Sequence, residues 1–113
     1  QVRDLLHIDD LCRLIVLQAN ILSKLSGNTY NVGGAREVSL SLLETTALCR
    51  EITGNKVKVG RDPRERPGDI AVYLTNNQKV TRELKWQPRK PAITILNDIF
   101  NWIRNNESKL RKL

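Results

Sequence analysis

Arg3-Asp4-Leu5-Leu6-His7-Ile8-Asp9-Asp10 opens the chain and runs straight into Leu11, Leu14, Ile15, Gln18, Ile21, Leu22 and Leu25. The second set repeats at i, i+3, i+4 and i+7, the spacing of one helical face. Asp9 or Asp10 is expected to cap this helix, because a short side-chain oxygen accepts the unpaired N–H groups of a first turn. Gly27-Asn28 is expected to end it. Beyond lies Thr29-Tyr30-Asn31-Val32, a β-prone run stopped by Gly33-Gly34. The two glycines read either as a turn or as backbone that passes close to something.

Further along, Ser41-Leu42-Leu43-Glu44 matches the S-x-x-E capping box. It opens a second helix, with Leu43, Ala47, Leu48 and Ile52 inward and an end before Gly54. Lys56-Val57-Lys58-Val59 alternates polar and apolar, as a half-exposed strand does. Residues 61–69 form a loop with two prolines, one glycine and three arginines. Ala71 to Leu74 reads as a short extended piece. Thr75-Asn76-Asn77-Gln78 is a second capping box, opening a short helix with Val80 and Leu84 inward that stops near Trp86-Gln87-Pro88. Ala92, Ile93, Leu96, Ile99, Phe100 and Ile103 give a last helix its apolar face. Trp86 and Trp102 are read as packing residues. The expected class is α/β, with about four helices and two or three short strands. So few strands do not make a self-standing sheet. The run Thr29 to Val32 is therefore expected to pair with strands outside these residues.

Size and composition narrow the function. The 113 residues, 40% hydrophobic and 27% charged, suit one globular domain, 1–113. No apolar run approaches the roughly 20 residues of a membrane helix. The first residues lack the basic-then-apolar layout of a secretory signal, and the chain contains no methionine at all. It is expected to be a piece of something longer, working in the cytoplasm. Cys12 and Cys49 are expected as buried reduced thiols. One histidine and no Cys-x-x-Cys give no support for a metal site. The net charge of +7 invites an anionic partner, but much of it lies in Arg61, Arg64 and Arg66 and in Arg104, Lys109, Arg111 and Lys112 at the end. Aromatics at 4% offer little stacking surface, so a nucleic-acid module is the weaker alternative. A helical adaptor is a third.

The chemistry-bearing residues lie in two segments. Arg3 stands beside Asp4, and Arg66-Pro67-Gly68-Asp69 follows about sixty residues later. Guanidinium groups bind phosphate oxygens through paired charge-assisted hydrogen bonds. A neighbouring carboxylate accepts from sugar hydroxyls. Convergence of the two segments on one cleft would suit a sugar nucleotide.

Four segments then point to one family. Arg3 to Asp10 resembles the R-D-x-x-H-V-x-D segment of the extended short-chain dehydrogenase/reductases, and Tyr30-Asn31-Val32-Gly33-Gly34 resembles their Y/F-N-[IV]-G-G strand. Arg66-Pro67-Gly68-Asp69 resembles their R-P-G-D loop, and Lys79 to Pro88 their K-x-x-x-E-L-G-W-x-P segment. Order and approximate spacing agree across nearly the whole chain. The stretch Ser39 to Glu44 is most similar to CDP-paratose/CDP-tyvelose 2-epimerases, while UDP-sugar 4-epimerases and dTDP-sugar dehydratases share the other motifs. The resemblance implies the C-terminal lobe of a Rossmann-type, NAD-dependent nucleotide-sugar enzyme, with the last strand region of its sheet. It places Arg3 and Arg66 on the pyrophosphate, Asp69 on the ribose hydroxyls, and Asn31 near the ligand at the sheet end. His7 and Asp10 are given structural work, a turn-fixing bond and a helix cap. Lys85 departs from the usual glycine before tryptophan, and Thr75 from the usual aspartate.

In the family the chemistry is transient oxidation of the sugar by NAD, at C2 in a 2-epimerase. No glycine fingerprint for the cofactor occurs in this chain. Neither Tyr30 nor Tyr73 has a lysine four residues on, so no general-base pair is present. No G-x-S-x-G or hydrolase triad is supported. The expectation is a lobe that binds the nucleotide, holds no catalytic residue, and is inactive alone. The parent is expected to be a homo-oligomer, and the isolated lobe to associate or swap strands around Thr29 to Val32 through an uncovered apolar face.

Overall fold

The structure is a computed structural model that describes residues 1–25, 27–60, 62, 64 and 67–112. The expected α/β class is found: the described residues form six helices and a three-stranded sheet of order β2-β1-β3. The central strand β1 (Val2–Asp4) comes from the opening stretch. β2 (Ser39–Ser41) runs antiparallel to it, with Arg3 opposite Leu40. β3 (Val72–Tyr73) runs parallel to it, with Val2 opposite Val72. The extended piece expected at Ala71 to Leu74 is thus a strand.

One other expected strand is not: Lys56 to Val59 is exposed throughout and meets no partner strand among the described residues. Residues 28–32 also join no ladder among them, and the partner strands expected for that run lie outside this sequence. The stretch around Tyr30 is held by side chains instead. The Tyr30 hydroxyl donates to Glu83 (2.8 Å), and Lys79 donates to the Thr29 carbonyl (2.9 Å) while lying over the Tyr30 ring.

The first helix is α1 (Ile8–Asn20), continued after a break at Ile21 by α2 (Leu22–Leu25). Its cap is His7, not an aspartate. His7 Nδ1 accepts from the Asp9 N–H (3.0 Å), which places the ring proton on Nε2, where it donates to Asp98 (3.1 Å). The ring is therefore both a cap and a tie to a later helix. Asp10 is a buried hub instead. Its Oδ2 accepts from the Arg89 and Lys90 N–H groups (2.8 and 2.9 Å) and its Oδ1 from Arg13 (2.7 Å). Its backbone carbonyl accepts the Trp86 indole N–H (3.0 Å). Burial pushes the Asp10 carboxyl up, but Arg13 and the two backbone donors outweigh it and hold the group below the usual carboxylate range.

Trp86 is the centre of the core. It packs with Leu14, Val80 and Leu84, and Leu6, Ile21, Leu25, Tyr30 and Val32 close around them. Ile15 and Leu22, expected on the same helical face, are exposed. Trp102, expected as packing, is 58% exposed. Cys12 is exposed and Cys49 half-buried, both free, so the expectation of two buried thiols is corrected. No helix among the described residues is long and apolar enough to cross a membrane.

α3 (Leu42–Thr53) forms its capping box in full: the Glu44 N–H donates to Ser41 Oγ (3.2 Å), and Glu44 accepts from the Ser41 N–H (2.7 Å). Half of the face expected inward is covered: Leu48 and Ile52 are partly buried, with Thr45 and Cys49 beside them, whereas Leu43 is 83% exposed and Ala47 is exposed. The covered side packs against α5 (Ala92–Asn105), whose buried residue is Ile95. α6 (Glu107–Leu110) is the last helix among the described residues.

α4 (Gln78–Leu84) does not use the Thr75–Gln78 box. The Gln78 N–H donates to the Asn76 side chain instead (2.9 Å). Asn77, at the cap position, is turned toward Gly33. At the other end Lys85 takes the left-handed conformation (φ 53°) where the family pattern has glycine.

Two outcomes follow. Lys85→Gly removes the side-chain penalty of that conformation and is expected to raise unfolding free energy by about 1 kcal/mol, read by urea denaturation. Asp10→Asn replaces an acceptor facing Arg13 with a donor and is expected to cost about 2 kcal/mol at pH 7. The Asp10 carboxyl is depressed in the folded state, so its contribution is full above the unfolded carboxylate range and is lost as pH falls through the folded value. The gap between wild type and Asp10→Asn therefore narrows in acid.

Candidate functional site

The site is built on β1. Asp4, its last residue, points its Oδ2 at two backbone donors, the Ala35 N–H (3.0 Å) and the Thr75 N–H (3.2 Å). Segments far apart in sequence meet at one oxygen. Beside it, Asn77 clamps Gly33 from both sides, accepting from its N–H (3.1 Å) and donating to its carbonyl (2.8 Å). This explains the glycine pair. A Cβ on Gly33 would collide with the Thr75 side chain and the Asp4 carboxylate, and one on Gly34 with the Leu5 carbonyl. The close-approach reading of Gly33-Gly34 is the correct one, and what approaches is the protein's own chain. Ala35, next in line, is held at φ 55° with its N–H on Asp4.

Arg3 precedes Asp4 on the same strand. One guanidinium nitrogen, Nη1, donates to the Val2 carbonyl (2.8 Å), and Nη2 lies 3.6 Å from Asp69 Oδ1. Asp69 reaches it because β3 runs parallel to β1. With Val2 opposite Val72, residue 69 falls beyond the N-terminal end of β1. The Pro67-Gly68 turn, with Gly68 at φ 81°, sets the direction of the chain into Asp69. The Gln1 side chain donates to the other Asp69 oxygen. Arg3 and Asp69 are 39% and 38% exposed at the side chain, open enough for a ligand to reach.

Of the four expected substrate residues, the structure brings Arg3 and Asp69 together. Arg66 lies outside the described residues. Asn31 is exposed in the unpaired stretch before Gly33, and no hydrogen bond or ion pair among the described residues joins it to Arg3 or Asp69. Sequence reasoning gave Thr75 and Asn77 only a place in a capping box and Asp4 only a place beside Arg3; it did not foresee their bonds to one another's segments. A cleft of about 800 Å³ adjoins the Asp4 hub, lined in part by Ala35, Arg36, Thr75, Asn76, Asn77 and Arg82. Arg3, Asp69 and Asn31 do not line it. Among the described residues no cluster of His, Cys, Asp or Glu could hold a metal ion.

Arg3 offers a positive fork, and the Asp69 carboxylate stands 3.6 Å from it. CDP-paratose 2-epimerase of Salmonella typhi is 31% identical over 102 residues, 90% of this chain. UDP-glucose 4-epimerase 2 of Arabidopsis thaliana is 32% identical over 107 residues, 93% of this chain. Its homologues are nucleotide-sugar epimerases and dehydratases. The kinds of relative expected from the four motifs are the ones found. The structure of UDP-glucose 4-epimerase from Stenotrophomonas maltophila, solved with NAD and formylated UDP-arabinopyranose, superposes with a TM-score of 0.82 at 30% identity. That match covers 96% of this chain and 32% of the enzyme. The chain spans about 30% of the length of the curated epimerases it matches. No family model matches it.

The glycine pair gives a direct check. Gly34→Ala forces the new methyl into the Leu5 carbonyl and is expected to cost about 3 kcal/mol, whereas a free surface turn would lose little. Thermal melts of the two proteins decide between them.

Proposed function

We propose that this chain is the nucleotide-binding lobe of a longer NAD-dependent nucleotide-sugar epimerase. The observation that carries the reading is the approach of Arg3 to Asp69 at the end of β1, in a chain whose homologues are sugar-nucleotide enzymes. Arg3 binds the diphosphate, joined by Arg66, three residues before Asp69 in the sequence. Asp69 takes the ribose hydroxyls, and Asn31 lies toward the sheet end of the ligand. Holding the nucleotide half, far from the reacting carbon, orients the sugar for chemistry performed elsewhere.

No residue of this chain is assigned to NAD. It has no glycine fingerprint, and the space beside Gly33 and Gly34 is already filled by Asp4, Thr75 and Leu5 atoms. The cofactor and the general base belong to the remainder of the longer enzyme, which is cytoplasmic and a homo-oligomer on this reading. The stretch Ser39 to Glu44 and the Salmonella relative favour CDP-tyvelose-type 2-epimerisation. A UDP- or dTDP-sugar 4-epimerase or dehydratase is the second reading, favoured by the 4-epimerase homologues.

Calorimetry tests the proposal. The 113-residue chain is expected to bind CDP or UDP saturably. Arg3→Ala is expected to weaken that binding about tenfold or more, the loss of a charge-assisted contact. With NAD and CDP- or UDP-hexose it is expected to show no turnover. Unchanged affinity in Arg3→Ala, or turnover proportional to protein, contradicts the reading.

A further inference from the structure

The contact between Arg3 and Asp69 has a consequence for selectivity. Both Asp69 oxygens are engaged, one facing Arg3 Nη2 at 3.6 Å and the other accepting from Gln1. Arg3 keeps a separate anchor, because Nη1 is bonded to its own strand at the Val2 carbonyl. The guanidinium can therefore give up Asp69 without losing its place. Neither group is buried, so the pair can be opened by a ligand rather than only by unfolding.

We propose that Arg3 and Asp69 mask each other, and that this makes the site selective for an intact nucleoside diphosphate over either half of it. The proposal rests on the binding role given to these residues above. A ligand with phosphates alone takes Arg3 but leaves Asp69 uncompensated beside a new negative charge, a like-charge penalty. A nucleoside alone must compete with Arg3 for the carboxylate. Only a molecule carrying both groups, spaced as in a nucleoside diphosphate, replaces the interaction that each partner loses. The ion pair thus acts as a specificity filter, lowering affinity for partial ligands.

Removing the carboxylate charge separates the effects. Asp69→Asn releases Arg3 and removes the repulsion, so inorganic pyrophosphate is expected to bind about two- to fivefold tighter, the range for an exposed ion pair. The same change weakens the ribose contact, so the preference for CDP over pyrophosphate is expected to shrink. Calorimetry of wild type and Asp69→Asn with CDP, pyrophosphate and cytidine reads both effects. Asp69→Ser serves as a second neutral variant, and thermal melts confirm folding of each. If wild type binds CDP and neither variant gains affinity for pyrophosphate, the mask is wrong while the binding role stands. If wild type binds neither CDP nor pyrophosphate, the binding role fails and the mask with it.

Discussion

One carboxylate oxygen organises this molecule. Asp4 Oδ2 receives the N–H groups of Ala35 and Thr75 and so joins the central strand to two distant segments. A backbone donor on a charged acceptor contributes about 1.5–3 kcal/mol. Everything nearby is shaped around that bond. Gly33 and Gly34 lack side chains because Asp4, Thr75 and Leu5 occupy the space. Asn77 leaves its role as a helix cap to hold Gly33. With β1 fixed in this way, Arg3 emerges from a strand that has neighbours on both sides.

The acidic residues of the opening stretch divide by exposure. Asp10 is 2% exposed, fully bonded, and stitches α1 to the segment that follows Trp86. His7 spends both ring nitrogens on the fold, one as a cap and one on α5. Such groups have no capacity left for a ligand. Asp69 and Arg3 are different, since they are half-exposed and meet at 3.6 Å, longer than a good hydrogen bond. On the proposed reading, that looseness leaves both groups free to exchange each other for a ligand.

Much of the fold was legible in the sequence because its signals were local. The Ser41–Glu44 box formed as read, since both bonds lie within one turn. The amphipathic repeat found α1, and Val80, Leu84 and Trp86 were read correctly as interior. Failures came where a distant partner outbid a local preference. Thr75-x-x-Gln78 is a capping box by spacing, but Thr75 and Asn77 are drawn to Gly33 and Asp4. Strand β1 was missed because three residues give no alternation to detect, and β2 because it leads directly into a helix. Lys56 to Val59 alternates like a strand but has no strand beside it among the described residues. In the site, chemistry and family motif led to an expected convergence of the segments that hold Arg3 and Arg66 to Asp69; Arg3 lies beside Asp69, and Arg66 lies outside the described residues. The geometry of that approach follows from the parallel register of β1 and β3, which no local pattern encodes.

The central claim is that the diphosphate and ribose of a sugar nucleotide are held at the N-terminal end of β1. A crystal structure of the chain with CDP or UDP tests it most directly. Phosphate oxygens within hydrogen-bond distance of the Arg3 guanidinium, and a ribose hydroxyl on the Asp69 carboxylate in place of Arg3, are the expected result. Nucleotide seated instead in the cleft lined by Arg36 and Arg82, with the Arg3–Asp69 pair undisturbed, would contradict it.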